Sequence, residues 1–177
     1  RDAGCDGIIA FGGGSPMDCA KAIGARVVRP KRTIAKMQGL FGVLHRLPPF
    51  FAVPTTAGTG SETTLAAVIT DSATHHKASI NDPSLIPHVA VLDPALTMGL
   101  PPAVTAATGM DALCHAVEAY TNHTYCTKLE NRMAKEAVRL IHDYLPRAYA
   151  NGKDREARQQ MQRAAFCAGR AFTRGCV

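Results

Sequence analysis

Two short apolar runs, Gly7-Ile8-Ile9-Ala10-Phe11 and Phe50-Phe51-Ala52-Val53, each lead straight into a polar turn rich in glycine or threonine. An unbroken apolar run of this length, bounded by glycine or proline, fits a strand covered on both faces, the pattern of a parallel sheet. The stretch after the first run opens a helix, and a loop with Pro30, and later Pro48-Pro49, leads to the second run. Gly12-Gly13-Gly14 is followed by Ser15-Pro16-Met17-Asp18, with serine as N-cap, proline at the first helical position and an acid in the first turn. This predicts a helix from Pro16 to about Arg26, carrying Ala20, Ile23 and Gly24 on one side. Val89-Ala90-Val91-Leu92, ended by Asp93-Pro94, reads as a third parallel strand, and Ala66–Thr70 and Lys77–Ile80 are strand-like.

From Pro101 the pattern changes. Ala103–Tyr125, Lys128–Tyr149 and Asp154–Phe172 are alanine-rich with helical spacing and hold no strand candidates. The expected organisation is an α/β portion over residues 1–98 followed by the start of an all-helical portion over 99–177. The chain begins at Arg1 without a methionine and ends at Val177 just after a helical pattern, as expected of a piece of a longer protein.

Composition narrows the function classes. With 46% hydrophobic and 19% charged residues, the chain can bury a core and is not a disordered segment. No apolar run approaches the roughly 20 residues that span a bilayer, and the start does not resemble a signal peptide, so no membrane partner is expected. The net charge of +6 raises nucleic acid as a partner. However, Arg26, Arg29, Lys31 and Arg32 form only a small group, and Arg155, Arg158, Arg163, Arg170 and Arg174 are scattered along a late helix, where solvated faces are the better reading. Aromatics are 6% and tryptophan is absent, so no stacking platform accompanies them, and no nucleic acid is expected. Cys5, Cys19, Cys114, Cys126, Cys167 and Cys176 show no CxxC pair and lie in part beside alanines, which suits buried free thiols in a reducing cytoplasm.

Chemistry concentrates in three places. The Gly12–Asp18 turn departs from the GxGxxG fingerprint but shares its physics: glycines let a phosphate approach the backbone, and the free N–H groups of a helix start point at it. An ordinary tight strand-to-helix connection is the alternative. The turn Pro54–Glu62 also follows an apolar strand and carries hydroxyls at Thr55, Thr56, Thr59 and Ser61. A ligand of both turns would sit at the carboxyl ends of the strands. The third place is Asp111 and His115, four residues apart, which stacks a carboxylate and an imidazole on one helical face. A solvated pair is the alternative reading. Met110, Ala112, Leu113, Ala116 and Val117 surround the pair, so part of this helix is expected to be buried, where a carboxylate needs a partner. Asp and His donors together suit a borderline divalent metal such as Fe(II), Zn or Mn, but two ligands are too few to hold it tightly. His75, His76, His88 and His142 fall in polar turns or on charged helix faces, and His123 is two turns beyond His115, so none is taken as a ligand.

These stretches, with Leu92-Asp93-Pro94, Leu100-Pro101-Pro102 and Ala107-Thr108-Gly109-Met110-Asp111-Ala112-Leu113-Cys114-His115-Ala116-Val117-Glu118-Ala119-Tyr120, occur in an order and spacing that resembles the iron-containing (group III) alcohol dehydrogenases over essentially the whole chain. The resemblance implies a Rossmann-like nucleotide-binding domain (1–98), the start of an all-helical metal-binding domain (99–177) in a dehydroquinate synthase-like architecture, and a cleft holding NAD or NADP and a divalent metal, Fe(II) first and Zn second. Carried over by motif, Gly13, Gly14 and Ser15 would bind the pyrophosphate with Asp18 supporting that helix start. Thr55, Thr56 and Thr59 would line the cofactor, Lys77 would reach its ribose or phosphate, and Asp111 and His115 would be the first two metal ligands. The implied activity is hydride transfer between a small alcohol, or an aldehyde or ketone in reverse, and NAD(P), with no catalytic side chain beyond the metal ligands. The family's opening strands and its later histidine-bearing helices are absent, so the 177 residues alone are expected to be inactive. Ala66 stands where some members have a polar residue. A homodimer would fit the family, and a dehydroquinate synthase-like lyase or a nucleotide-binding module without catalysis are the competing functions.

Overall fold

A computed structural model describes residues 4–72, 74–122 and 126–175; His123, Tyr125 and Cys176 lie outside the described residues. Strand β1 (Ile8–Gly12) pairs in parallel with β3 (Phe50–Pro54), which pairs in parallel with the short β6 (Val89–Ala90), in the order β1-β3-β6. The expected third strand is therefore present but brief, although the Val91 amide still donates to Ala52 O at 2.8 Å. Strands β4 (Ala66–Thr70) and β5 (Lys77–Asn81) form an antiparallel pair, and β2 (Gly39–Leu40) lies parallel to β5 on its other side. Helices α3 (Pro102–Thr121), α4 (Lys128–Ala150) and α5 (Arg155–Gly175) follow, close to the bounds expected from periodicity.

Helix α1 (Gly14–Val28) is the crossover between β1 and β3, and it corrects the sequence reading of its own start. Gly13 is the N-cap, no side chain caps the helix, and Met17 N donates to Gly13 O at 3.3 Å. Ser15 and Pro16 are thus inside the first turn. The first turn of any helix has N–H groups with no intrahelical acceptor, so a proline costs no hydrogen bond at its third position either. The inward face is Met17, Lys21, Ala22, Gly24 and Ala25, whereas Ile23 points outward. Gly24 packs closely there: a Cβ would stand 2.9 Å from Leu47 Cδ1 and 3.1 Å from Ile8 Cδ1, so these methyl groups would have to shift.

The segment between α1 and β3 holds the single turn α2 (Ile34–Met37) and β2. Asp82 organises it from a distance, accepting from Val43 N and Leu44 N, each at 2.9 Å, and from Ser84 N at 2.9 Å. Phe41 and Leu44 take positive φ beside this anchor. Arg29 and Arg32 donate to Val43 O and Gly42 O, so this basic group is partly structural. Arg158 departs further from the solvated-face reading: it is buried and donates to Thr105 Oγ1 (2.7 Å), Gly152 O (2.9 Å) and Leu100 O (3.1 Å). Among the described cysteines all thiols are free, but Cys5, Cys19 and Cys114 are exposed and only Cys167 is buried. Cys19, beside Ala20, and Cys114, between Leu113 and His115, lie on the outer faces of their helices, so the apolar sequence context misplaces them.

Two apolar clusters result. One gathers Met17, Ala25, Met37, Phe50, Ala52, Ile80 and Leu85 under the sheets. The other is alanine-rich and joins α3, α4 and α5 through Ala112, Ala116, Ala137, Ile141, Met161, Ala164 and Ala168, with Ala57 reaching it from the turn after β3. Small side chains let these helices approach closely. Helix α4 carries a capping box, with the Thr127 hydroxyl accepting from Leu129 N at 3.2 Å and Glu130 Oε2 accepting from Thr127 N at 3.1 Å. Thr127→Ala is expected to cost about 1 kcal/mol, lowering the thermal midpoint by about 2–4 °C; an unchanged midpoint would contradict the capping role. Helix α1 covers one face of β1-β3-β6, while Ile9, Phe11, Phe51, Val89 and Val91 are exposed. Among the described residues no helix is long and apolar enough to cross a membrane.

Candidate cofactor and metal site

The first glycine turn ends β1 at the carboxyl edge of the sheet, and the threonine turn ends β3 beside it, tied by Thr55 N donating to Gly12 O at 2.9 Å. The two turns interlock, with the bare backbone of the glycine turn against threonine side chains of the other. A Cβ on Gly13 would stand 3.3 Å from Thr56 Oγ1, and one on Gly14 would stand 2.8 Å from Thr59 Cγ2 and 3.1 Å from its Oγ1. Glycine therefore serves closeness here, placing the backbone of the helix start next to the threonine hydroxyls. Thr59 Oγ1 accepts from Ser61 N at 3.3 Å. Ser15 and Thr59 are exposed, Thr55 and Thr56 half-buried.

Asp18 acts across the fold. Its carboxylate accepts from Ser61 Oγ at 2.6 Å and from Val68 N at 3.0 Å, so it ties α1 to the end of the threonine turn and to β4, not to its own helix start. One turn on, Lys21 is fully buried and donates to Thr64 O (2.8 Å), Thr64 Oγ1 (2.9 Å) and Ala66 O (2.9 Å). Burial lowers the Lys21 ammonium to about 8, opposed by Asp18 and Glu62. Burial likewise raises the Glu62 carboxyl to about 7, opposed by a backbone hydrogen bond and by Lys21. Sequence reasoning passed over both residues. The signal was present for Lys21: a lysine one turn after Met17, on the stripe that Gly24 and Ala25 continue, has no place on an apolar face unless it is satisfied there.

The threonine turn also reaches the helices. A Cβ on Gly58 would stand 2.7 Å from Thr108 Cβ and 2.8 Å from Thr108 O, so turn and α3 are in backbone contact. Thr108 is one turn before Asp111 on α3. His115 Nε2 faces Asp111 Oδ1 at 3.8 Å, beyond hydrogen-bond range, with His115 mostly buried and Asp111 half-exposed. The Nδ1 of His115 is buried without a partner among the described residues. A bare solvated pair does not leave an imidazole in that state. One carboxylate oxygen and one imidazole nitrogen directed at each other without bonding fit a shared divalent ion, and the open Nδ1 is where a supporting acceptor belongs. Among the described residues no group of three or more His, Cys, Asp or Glu could hold a metal.

The ring of His115 packs on Phe172 of α5, with centroids 4.6 Å apart. Phe172 in turn borders a cavity of about 270 Å3 formed with Leu40, Thr64, Leu65, Ala66, Ser79, Asn81 and Thr173. Part of its mostly apolar wall is the 64–66 segment that Lys21 holds. Lys77 opens β5 opposite Thr70 and is exposed. His75, His76, His88 and His142 are exposed as expected, and His88 Nδ1 accepts from Phe50 N at 3.1 Å.

The iron-containing alcohol dehydrogenase model matches residues 1–94, and the C-terminal model of the Fe-containing alcohol dehydrogenase family matches residues 105–176. The chain is 47% identical to the probable alcohol dehydrogenase EutG of Escherichia coli over 98% of its own length and 43% of the relative's. It is 46% identical to the NAD-dependent methanol dehydrogenase of Bacillus methanolicus, over 99% of its own length and 45% of the relative's. Among solved structures, a 1,3-propanediol oxidoreductase superposes with a TM-score of 0.93 at 42% identity, covering 99% of this chain and 45% of that one. The alcohol dehydrogenase of Oenococcus oeni superposes at 0.92 with 40% identity, covering 98% and 45%. The chain thus spans a little under half the length of these relatives and shares their mixed α/β and helical architecture. It belongs to the iron-containing alcohol dehydrogenase family.

Proposed function

We propose that this chain carries the cofactor cradle and half of the metal site of a metal-dependent oxidoreductase that moves a hydride between a small alcohol, or its aldehyde or ketone, and NAD or NADP. The observation that carries the reading is that Gly13 and Gly14 approach Thr56 and Thr59, and Gly58 of the same threonine turn approaches Thr108, one turn before Asp111 on the helix that carries the Asp111–His115 pair. Residues 1–98 would form the nucleotide-binding portion and 99–177 the metal-binding portion. When bound, the divalent ion, Fe(II) before Zn, would act as Lewis acid on the substrate oxygen while the nicotinamide exchanges the hydride.

The chain's own residues do the positioning. The backbone N–H groups at Gly13, Gly14 and Ser15, at the positive end of α1, attract the pyrophosphate. Asp18 keeps that helix start in register with the threonine turn, Thr55, Thr56 and Thr59 flank the cofactor path, and Lys77 meets its ribose or phosphate. Asp111 and His115 supply one hard and one borderline donor to the ion. The cavity beside Phe172 would offer a mostly apolar wall to the substrate's carbon chain. The relatives above carry oxidoreductase names, which favours hydride transfer over a lyase of similar architecture. The free thiols support a reducing, cytoplasmic setting, and a homodimer is the assembly we infer from the family.

The test is metal binding, read by the d–d absorption of Co(II) as a spectroscopic substitute. The 177-residue chain should take up one ion weakly, without alcohol turnover. Loss of even a supporting contact to a metal ligand costs about 10–100-fold in affinity, so Asp111→Ala and His115→Ala should each lose at least that much. Equal Co(II) binding by both variants would reject the metal assignment.

A further inference from the structure

Among the buried polar groups of the fold, Lys21 has no assigned part in the reading above, yet it touches the wall of the cavity beside Phe172. We propose that Lys21 is a positioning residue for the nicotinamide half of the dinucleotide, holding the 64–66 wall at a fixed distance from the glycine turn that receives the pyrophosphate. This rests on the dinucleotide reading and deepens it.

The geometry is a two-point clamp. Helix α1 begins at the glycine turn, so its position is the position of the pyrophosphate donors. From that helix Asp18 holds Ser61 and Val68, the two outer points of the segment, and Lys21 holds Thr64 and Ala66 between them. Thr64 and Ala66 both line the 270 Å3 cavity. Ala66 offers no side-chain donor or acceptor, so what this wall can present is backbone and shape, and both depend on where the segment is held. All three Lys21 acceptors are spent on the ammonium, which leaves Lys21 no free bond for a ligand and makes its effect indirect. Removing the ammonium frees the wall but leaves the glycine and threonine turns joined through Thr55 and Gly12.

The two halves of the cofactor should therefore respond differently. Dissociation constants of NADH, which has the nicotinamide, and ADP-ribose, which lacks it, are measured for the 177-residue chain and for Lys21→Met. The expected result is a loss on the order of tenfold for NADH, the ratio that one charge-assisted contact carries, with ADP-ribose unchanged. Thr64→Val, which removes one of three acceptors and keeps the lysine, should shift NADH alone by a smaller factor, and it carries the test if Lys21→Met does not fold. Equal loss of both ligands, or loss of neither, would overturn the positioning role. Failure of the wild-type chain to bind either ligand would instead remove the dinucleotide reading and this inference with it.

Discussion

Gly169→Ala should lower the stability of this chain by about 3 kcal/mol, the upper end of what one added methyl group costs in a tight interior. At this position α5 meets the threonine turn backbone to backbone. A Cβ on Gly169 would stand 2.8 Å from Gly60 O and 2.9 Å from Gly60 Cα, and a Cβ on Gly60 would stand 2.7 Å from Gly169 Cα. Neither partner can yield by rotating a side chain. Gly60 itself sits at φ +61, where other residues are strained, and Thr63 and Thr173 pin the surroundings through Thr63 Oγ1 to Gly60 O and Thr173 Oγ1 to Thr63 O. The helix must therefore move away from the turn, and with it Phe172 from His115. For a chain of this size the cost corresponds to a fall of about 6–12 °C in the thermal midpoint. Gly99→Ala is the control, because nothing lies within 4 Å of its added Cβ. If Gly169→Ala melts together with Gly99→Ala, α5 and the threonine turn do not meet backbone to backbone.

That contact also marks where the sequence stops being informative. The strands around Ala10 and Ala52 and the helices around Ala116 and Ala164 are legible because apolar periodicity reports burial along one element. The glycine and threonine turns are legible as donors for the same local reason. Which helix a turn touches is a long-range property: nothing near Gly58 in sequence names Thr108, and nothing near Gly60 names Gly169. The short elements α2 and β2 went unread because a distant carboxylate, Asp82, holds them, and two strand residues carry no period. The Ser15-Pro16 signal reads as the helix start, whereas Gly13 is the N-cap, since proline is tolerated anywhere in a first turn. Arg158 and Lys21 were invisible for a related reason. A charged residue is assigned to solvent by default, and only the acceptors gathered by other segments, Leu100 and Gly152 or Thr64 and Ala66, reverse that.

Stability should also fall as pH rises from about 4.5 to about 7, by an amount that belongs to Glu62. Its carboxyl is 5% exposed, and burial raises it to about 7 from an ordinary value of 4.5. Between those values the folded chain holds a proton that the unfolded chain has released, so folding is favoured at the acid end and the advantage is lost as the pH approaches 7. The full span is worth about 3 kcal/mol. Lys21 works in the opposite sense and in another window. Burial lowers it to about 8, so the cost of enclosing its ammonium is complete below that pH and is relieved only between there and the ordinary lysine range. The neutral region is thus where both groups are charged and the cluster is least favourable, held together by Asp18 and by the Thr64 and Ala66 acceptors. Urea unfolding of the wild type and Glu62→Gln at pH 5 and pH 7.5 isolates the carboxyl, because other titrating groups are common to both. The difference in unfolding free energy should move by about 2 kcal/mol against the wild type at the higher pH, and parallel profiles would remove Glu62 from the account. The sign matters for the site: a residue next to the threonine turn that destabilises the fold near neutrality is out of place for packing alone, and its position beside Asp18 and Lys21 makes the clamp on the 61–68 segment the structure that bears the cost.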